Sequence, residues 1–132
     1  MTTSQSLSKG SLSLRSLKSG FLGKVLMNFK ELAENLGLEE DEYLELIDLF
    51  VEVGKTDLDK LQSGIDDGNA EDVAKSAHSL KGASGNLGLM EFFQIAKEIE
   101  EKGRNGQLEG TAEAAQALKE RLKAVAEFSR NA

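Results

Sequence analysis

Residues 78–88 of the chain read HSLKGASGNLG, and the predicted fold follows from this stretch outward. It contains His78, the only histidine among the 132 residues. Through and around it, apolar or small residues recur in steps of four, three, four and three, which is the spacing of one buried face of an α-helix. The members of this stripe are Val73, Ala77, Leu80, Ser84 and Leu87.

His78 follows a member of the stripe by one position, so it is rotated by about 100° from the centre of the buried face. One turn away along the helix lie Ala74 and Gly82, and Gly85 follows three residues after Gly82. A glycine inside a helix costs roughly 1 kcal/mol relative to alanine. Two interpretations are open: the glycines let a neighbouring helix come close, or they admit another macromolecule to the imidazole.

The pattern His-x-Leu-Lys-Gly-x-Ser-x-x-Leu-Gly resembles the signature of histidine-containing phosphotransfer (HPt) domains, which relay phosphoryl groups in multistep two-component signalling. The order of predicted elements resembles that family from about residue 40 to residue 128. The residues that occupy positions of the signature are His78, Leu80, Lys81, Gly82, Ser84, Leu87 and Gly88.

The resemblance implies a histidine phosphocarrier. His78 would accept a phosphoryl group from the aspartate of one receiver domain and pass it to the aspartate of another. A neutral imidazole is nucleophilic near pH 7, which suits this role. Lys81 is a candidate for neutralising the charge of the phosphate, and partner access and docking are assigned to Ala74, Lys75, Gly82 and Gly85.

No cofactor or metal site is predicted on the chain itself. The resemblance implies that a partner receiver domain brings the acceptor aspartate and Mg²⁺. The expected partners are response-regulator receiver domains and a hybrid sensor histidine kinase. The carrier is expected to be a cytoplasmic monomer. It is also expected to lack autokinase activity, because 132 residues leave no room for an ATP-binding domain beside the bundle.

Two alternatives stay open beside the carrier. The chain can be an HPt-type fragment of a larger sensor kinase, because such a fragment would carry the same motif. It can also be a helical module that binds a receiver domain without transfer, although an intact His78 argues against this.

Composition excludes several other classes of protein. The chain has no cysteine, which excludes disulfides, thiolate zinc sites and a cysteine nucleophile. No apolar run approaches the 18 residues or so of a membrane-spanning helix. The formal charge of −7 argues against binding to nucleic acid. The absence of proline favours long uninterrupted helices.

The chain is predicted to be all-α, an antiparallel up-down four-helix bundle with an additional N-terminal helix. Residues 1–26, serine-rich with four basic and no acidic residues, are expected to form an arm that is partly disordered or helical. Residues 27–132 are expected to form the bundle domain. The N-terminal helix is expected over 12–36, ended by Gly37.

The bundle helices are predicted from four amphipathic segments. The first runs from residue 41 to 66 as one helix, because its apolar period continues through Gly54 and Gly64. The second covers 70–86, with Asn69 as its N-cap and Gly88 at its end. The third begins at 89 and stops before Gly103, and the fourth covers 111–129.

Overall fold

The computed structural model describes residues 29–131, and contacts divide the chain into two compact units, Met1–Tyr43 and Leu44–Ala132. In the first unit, residues 29–35 belong to helix α1, and Gly37 follows with a φ of 73°. This left-handed conformation suits glycine and ends the helix as predicted. The helix expected over residues 12–28 and the domain boundary after residue 26 lie outside the described residues.

Four further helices follow, and the part of the chain from residue 29 to 131 contains no strand. They confirm the predicted all-α fold. Their bounds are Glu40–Asp66 for α2, Ala70–Asn86 for α3, Met90–Arg104 for α4 and Thr111–Asn131 for α5.

Helix α2 is continuous through both of its inner glycines, as predicted. A Cβ placed on Gly54 would lie 3.2 Å from the side chain of Leu122, and one on Gly64 would lie 3.1 Å from Cγ2 of Val73. The glycines therefore stand where neighbouring helices lie close to α2, α5 at Gly54 and α3 at Gly64, which explains why this helix carries them.

The helices of the second unit pack antiparallel to their neighbours. In each pair, the residue numbers of the contacts rise along one helix as they fall along the other. Phe50 of α2 and Phe92 of α4 also meet edge-on, with ring centroids 5.2 Å apart. The contacts that fix these directions are Asp57–Ser79 and Gly64–Val73 for α2 and α3, Glu100–His78 and Gly103–Ala74 for α3 and α4, and Gln62–Lys119 and Gly54–Leu122 for α2 and α5.

Helix α3 has the predicted caps and the predicted buried face. The Asn69 side chain accepts a hydrogen bond from the backbone N–H of Asp72 at 3.1 Å. Gly88 has a φ of 77° just beyond the last turn. All five members of the stripe are buried, and the Ser84 hydroxyl donates to the carbonyl oxygen of Leu80 within its own helix. The core therefore fixes which side of α3 faces outward.

Helix α4 extends further than the sequence predicts. It was expected to stop before Gly103, but it includes Gly103 and ends at Arg104. A Cβ on Gly103 would lie 2.8 Å from the backbone nitrogen of Ala74, so this glycine is required by the close approach of α3 and does not terminate the helix. Among residues 29–131, no helix is both long and apolar enough to cross a membrane.

Candidate functional site

His78 lies on the exposed edge of α3, with 62% of its side chain accessible to solvent. The neighbouring stripe member Ala77 is fully buried. Helical geometry, with 100° between successive residues, thus places the imidazole just outside the core, as its offset from the stripe predicts.

A carboxylate from α4 binds one nitrogen of this imidazole. Oε2 of Glu100 lies 2.9 Å from Nδ1 of His78, and the Glu100 side chain is only 3% exposed. An ionised carboxylate can only accept hydrogen bonds, so Nδ1 must carry the proton in this contact. In the neutral ring Nε2 is then the unprotonated nitrogen, which is the nucleophilic one.

Two cations hold the same carboxylate. The Lys81 ammonium lies 2.7 Å from Oε1 of Glu100. The Arg104 guanidinium donates to Oε2 through Nε at 3.0 Å and Nη2 at 2.5 Å. Arg104 lies one turn after Glu100 on α4, whereas Lys81 belongs to α3, so the lysine pair depends on the register in which α3 and α4 pack.

The donors keep Glu100 ionised in spite of its burial. Burial by itself raises the pKa of the carboxyl, but the hydrogen bonds from the two cations and the imidazole outweigh it and lower the pKa from 4.5 to about 2. Glu100 is therefore a fixed negative charge at the pH at which a neutral histidine exists. It can orient the imidazole and stabilise positive charge on it.

A groove with a volume of about 680 Å³ opens on the α4 side of His78. Half of its lining residues are alanine or glycine, and three others carry basic side chains. The lining residues are Ala70, Glu71, Ala74, Lys75, His78, Gly103, Arg104 and Gly106.

The residues assigned to partner access are placed differently from one another. Ala74 and Lys75 line the groove with His78, and the Lys75 ammonium lies 3.6 Å from Glu71 on the exposed surface. Gly82 faces open space, because a Cβ placed there would meet no atom within 4 Å. Gly85 instead packs against α4: its Cβ would lie 3.1 Å from Cδ1 of Phe93. Of the two glycines, only Gly82 thus leaves the surface of α3 open.

Lys81, assigned to the phosphate, is anchored by Glu100 and has 27% of its side chain exposed. Glu100 and Arg104 were not predicted from the sequence as part of the site. The available signal was a glutamate that follows Ile99 by one residue and Ala96 by four, on the apolar face of α4. A charged residue at such a position is rarely buried unless it is paired.

The opposite flank of α3 carries a simpler contact. The hydroxyl of Ser79 donates to Oδ2 of Asp57 on α2 at 2.6 Å. Asp57 is buried, with 9% exposure. This bond fixes α3 against α2 next to the phosphoacceptor candidate, because Ser79 directly follows His78.

Both the sequence and the fold of the chain are similar to those of known proteins. A family model described as Hpt domain matches residues 45–128. A solved structure, the crystal structure of histidine-containing phosphotransfer protein B (HptB) from Pseudomonas aeruginosa PAO1, is similar with a TM-score of 0.65 and 29% identity, over 82% of this chain and 89% of that chain. No curated protein matches the chain.

Proposed function

Since the chain belongs to the Hpt domain family, whose role is histidine phosphotransfer in phosphorelays, we propose that Nε2 of His78 carries the phosphoryl group. The observation that supports this most is the hydrogen bond between Nδ1 of His78 and the buried carboxylate of Glu100. It selects the tautomer in which Nε2 has a free lone pair. The exposed imidazole is also reachable by another macromolecule.

The donor in this proposal is the phosphorylated aspartate of a receiver domain. Nε2 attacks the phosphorus in line, the N–P bond forms, and the P–O bond to the aspartate breaks, so that the aspartate leaves as a carboxylate. Nδ1 keeps its proton throughout. The phosphorylated ring then carries a positive charge that faces Glu100, and no general base on this chain is needed. The reverse sequence passes the group to a second receiver.

Mg²⁺ enters this proposal only through the partner, where it would neutralise charge on the phosphoryl oxygens. Within residues 29–131, no three His, Cys, Asp or Glu side chains are grouped so that they could hold a metal ion. The acceptor carboxylate likewise belongs to the receiver. This chain contributes the nucleophile, its orientation and nearby positive charge. It acts as a cytoplasmic monomer without kinase activity of its own.

The docking surface for the receiver extends from His78 over Gly82 towards α2. The Ser79–Asp57 bond and the antiparallel packing place the preceding turns of α2 beside the second half of α3. There α2 exposes apolar side chains, including Leu49 at 60% and Val53 at 44% exposure. Exposed apolar surface next to a reactive group is typical of a protein-binding site.

Transfer of label from receiver domains tests this function. A panel of receivers is labelled with radioactive acetyl phosphate and Mg²⁺ and mixed with the protein. We expect acid-labile, base-stable label on the wild type and none on His78→Gln. Labelling by ATP alone would contradict the carrier function. Binding of receivers without transfer, with His78 still reactive towards small phosphoryl donors, would favour a receiver-binding module.

A further inference from the structure

The two cations at Glu100 differ in which carboxylate oxygen would lose a donor if the cation moved away. Of the described residues, only Lys81 donates to Oε1, whereas Oε2 accepts from both Arg104 and His78. Removing Lys81 would leave a buried carboxylate oxygen without a donor, which is costly. Removing Arg104 would leave Oε2 still bonded to the imidazole. Arg104 is therefore the cation that can leave without depriving a carboxylate oxygen of its last donor.

The exposure of the two side chains and the geometry of their donors also favour Arg104 as the cation that moves. The Arg104 side chain is 62% exposed and lines the groove that also contains His78. The Lys81 side chain is only 27% exposed. A guanidinium offers a planar pair of N–H donors that matches two phosphate oxygens, whereas an ammonium acts as a point charge.

We propose that Arg104 is the ligand of the phosphoryl group on His78: it exchanges Glu100 for the phosphoryl oxygens when the group arrives, while Lys81 stays on Glu100. This rests on the proposed function of His78. It assigns charge neutralisation to a residue outside the HxLKG motif, and it gives Lys81 the task of keeping Glu100 ionised. The groove on the α4 side supplies the space in which the guanidinium turns.

Charge balance supports the exchange. In the unphosphorylated state Glu100 is the one carboxylate among residues 29–131 that pairs with both cations. Phosphorylation adds a dianionic group at Nε2 and leaves a positive charge on the ring, whose Nδ1–H continues to bind Oε2. The ring charge and Lys81 then compensate Glu100, so Arg104 is released to compensate the dianion.

The experiment uses potassium phosphoramidate, which phosphorylates the histidine without any receiver. The N–P bond to Nε2 forms as the donor's P–N bond breaks and ammonia leaves. Two signals are followed by NMR: the ¹⁵N–¹H resonance of Arg104 Nε, and the ³¹P shift of the phosphoryl group as a function of pH. The variants are Arg104→Gln and Lys81→Gln. Arg130→Gln, on the exposed end of α5, is the control with the same change of charge.

We expect phosphorylation to shift the Arg104 Nε resonance in the wild type. A nearby cation favours the dianion, so loss of Arg104 should raise the pKa of the phosphoryl group by about half a unit or more, and loss of Lys81 by less. Arg130→Gln should change nothing. An unmoved Arg104 resonance, with the larger pKa change in Lys81→Gln, would overturn the inference and return the role to Lys81. If His78 in the wild type takes no label, the proposed function itself fails.

Discussion

Helix α3 packs between α2 and α4. The same kinds of residue occur on both of its flanks but have different roles. On the α2 side stand Gly64 and the buried Asp57, and on the α4 side stand Gly103 and the buried Glu100. Each glycine lets a helix approach, and each carboxylate binds a side chain of α3.

The partners of the carboxylates make the difference. Asp57 accepts a neutral hydroxyl, whereas Glu100 accepts an imidazole, an ammonium and a guanidinium. The first contact only positions α3. The second also fixes a tautomer and gathers positive charge, so we expect the proposed chemistry on the α4 flank. A buried carboxylate therefore becomes part of a reactive site through its partners and not through burial.

The largest expected effect concerns the close approach of α4. Gly103→Ala should lower the free energy of unfolding by about 2–3 kcal/mol, because the new Cβ would meet backbone atoms of α3 that cannot turn aside. Gly82→Ala is the matched control and should raise it by up to about 1 kcal/mol, since that site is open and helical. Urea denaturation measures both. Equal tolerance of the two substitutions would contradict the tight α4 flank.

The second largest effect is expected when a bulky side chain blocks access to the open face of α3. Gly82→Leu should slow transfer from a phosphorylated receiver roughly a hundredfold, because a bulky side chain would displace the partner from the imidazole. Helix content by circular dichroism should stay unchanged. Phosphorylation by phosphoramidate, a small donor, should stay within about twofold of the wild type, since small donors need less clearance. Unimpaired receiver transfer would show that the free space serves another purpose.

A matched pair of isosteric substitutions compares the carboxylates directly. Glu100→Gln should slow transfer about tenfold, because the amide loses the charge that binds two cations and holds Nδ1–H. Asp57→Asn should change transfer by less than about twofold and lower stability by about 1 kcal/mol. Rates from rapid-quench assays and unfolding free energies separate the two effects. A larger rate loss in Asp57→Asn would reverse the assignment of the flanks.

Acid should reveal the α4 flank through the pH dependence of stability. The pKa of Glu100 in the folded protein is lowered to about 2 from 4.5, so its contribution to stability is complete above pH 4.5 and is lost as the pH falls towards 2. Comparing wild type with Glu100→Gln by urea denaturation should show a stability difference that narrows over this interval. A difference that does not change between pH 5 and 2.5 would show that the carboxyl is not held by its donors.

Much of the fold is predictable from local pattern. The stripe on α3, the Asn69 cap and the terminating Gly88 depend on neighbours in sequence, and the structure has all three. The exposed edge position of His78 follows from the same helical period. Local patterns suffice here because helix formation and capping are decided within a few residues.

The charged half of the site was not predictable in this way. Glu100 lies 22 residues from His78 in sequence, and the two meet only through the register of α3 and α4. The same register decides that Gly85 packs against Phe93 while Gly82 stays open, although both stand on one helix a turn apart. Periodicity identifies the face of a residue, but not the side chain that a neighbouring helix brings to it.

The central claim is that the phosphoryl group bonds to Nε2 of His78 while Nδ1 keeps its proton for Glu100. Long-range ¹H–¹⁵N and ³¹P–¹⁵N correlation on the ¹⁵N-labelled, phosphorylated protein measures this directly. We expect phosphorus to couple to Nε2 and the Nδ1 proton to be retained. Coupling of phosphorus to Nδ1, or label on any residue other than His78, would contradict the account.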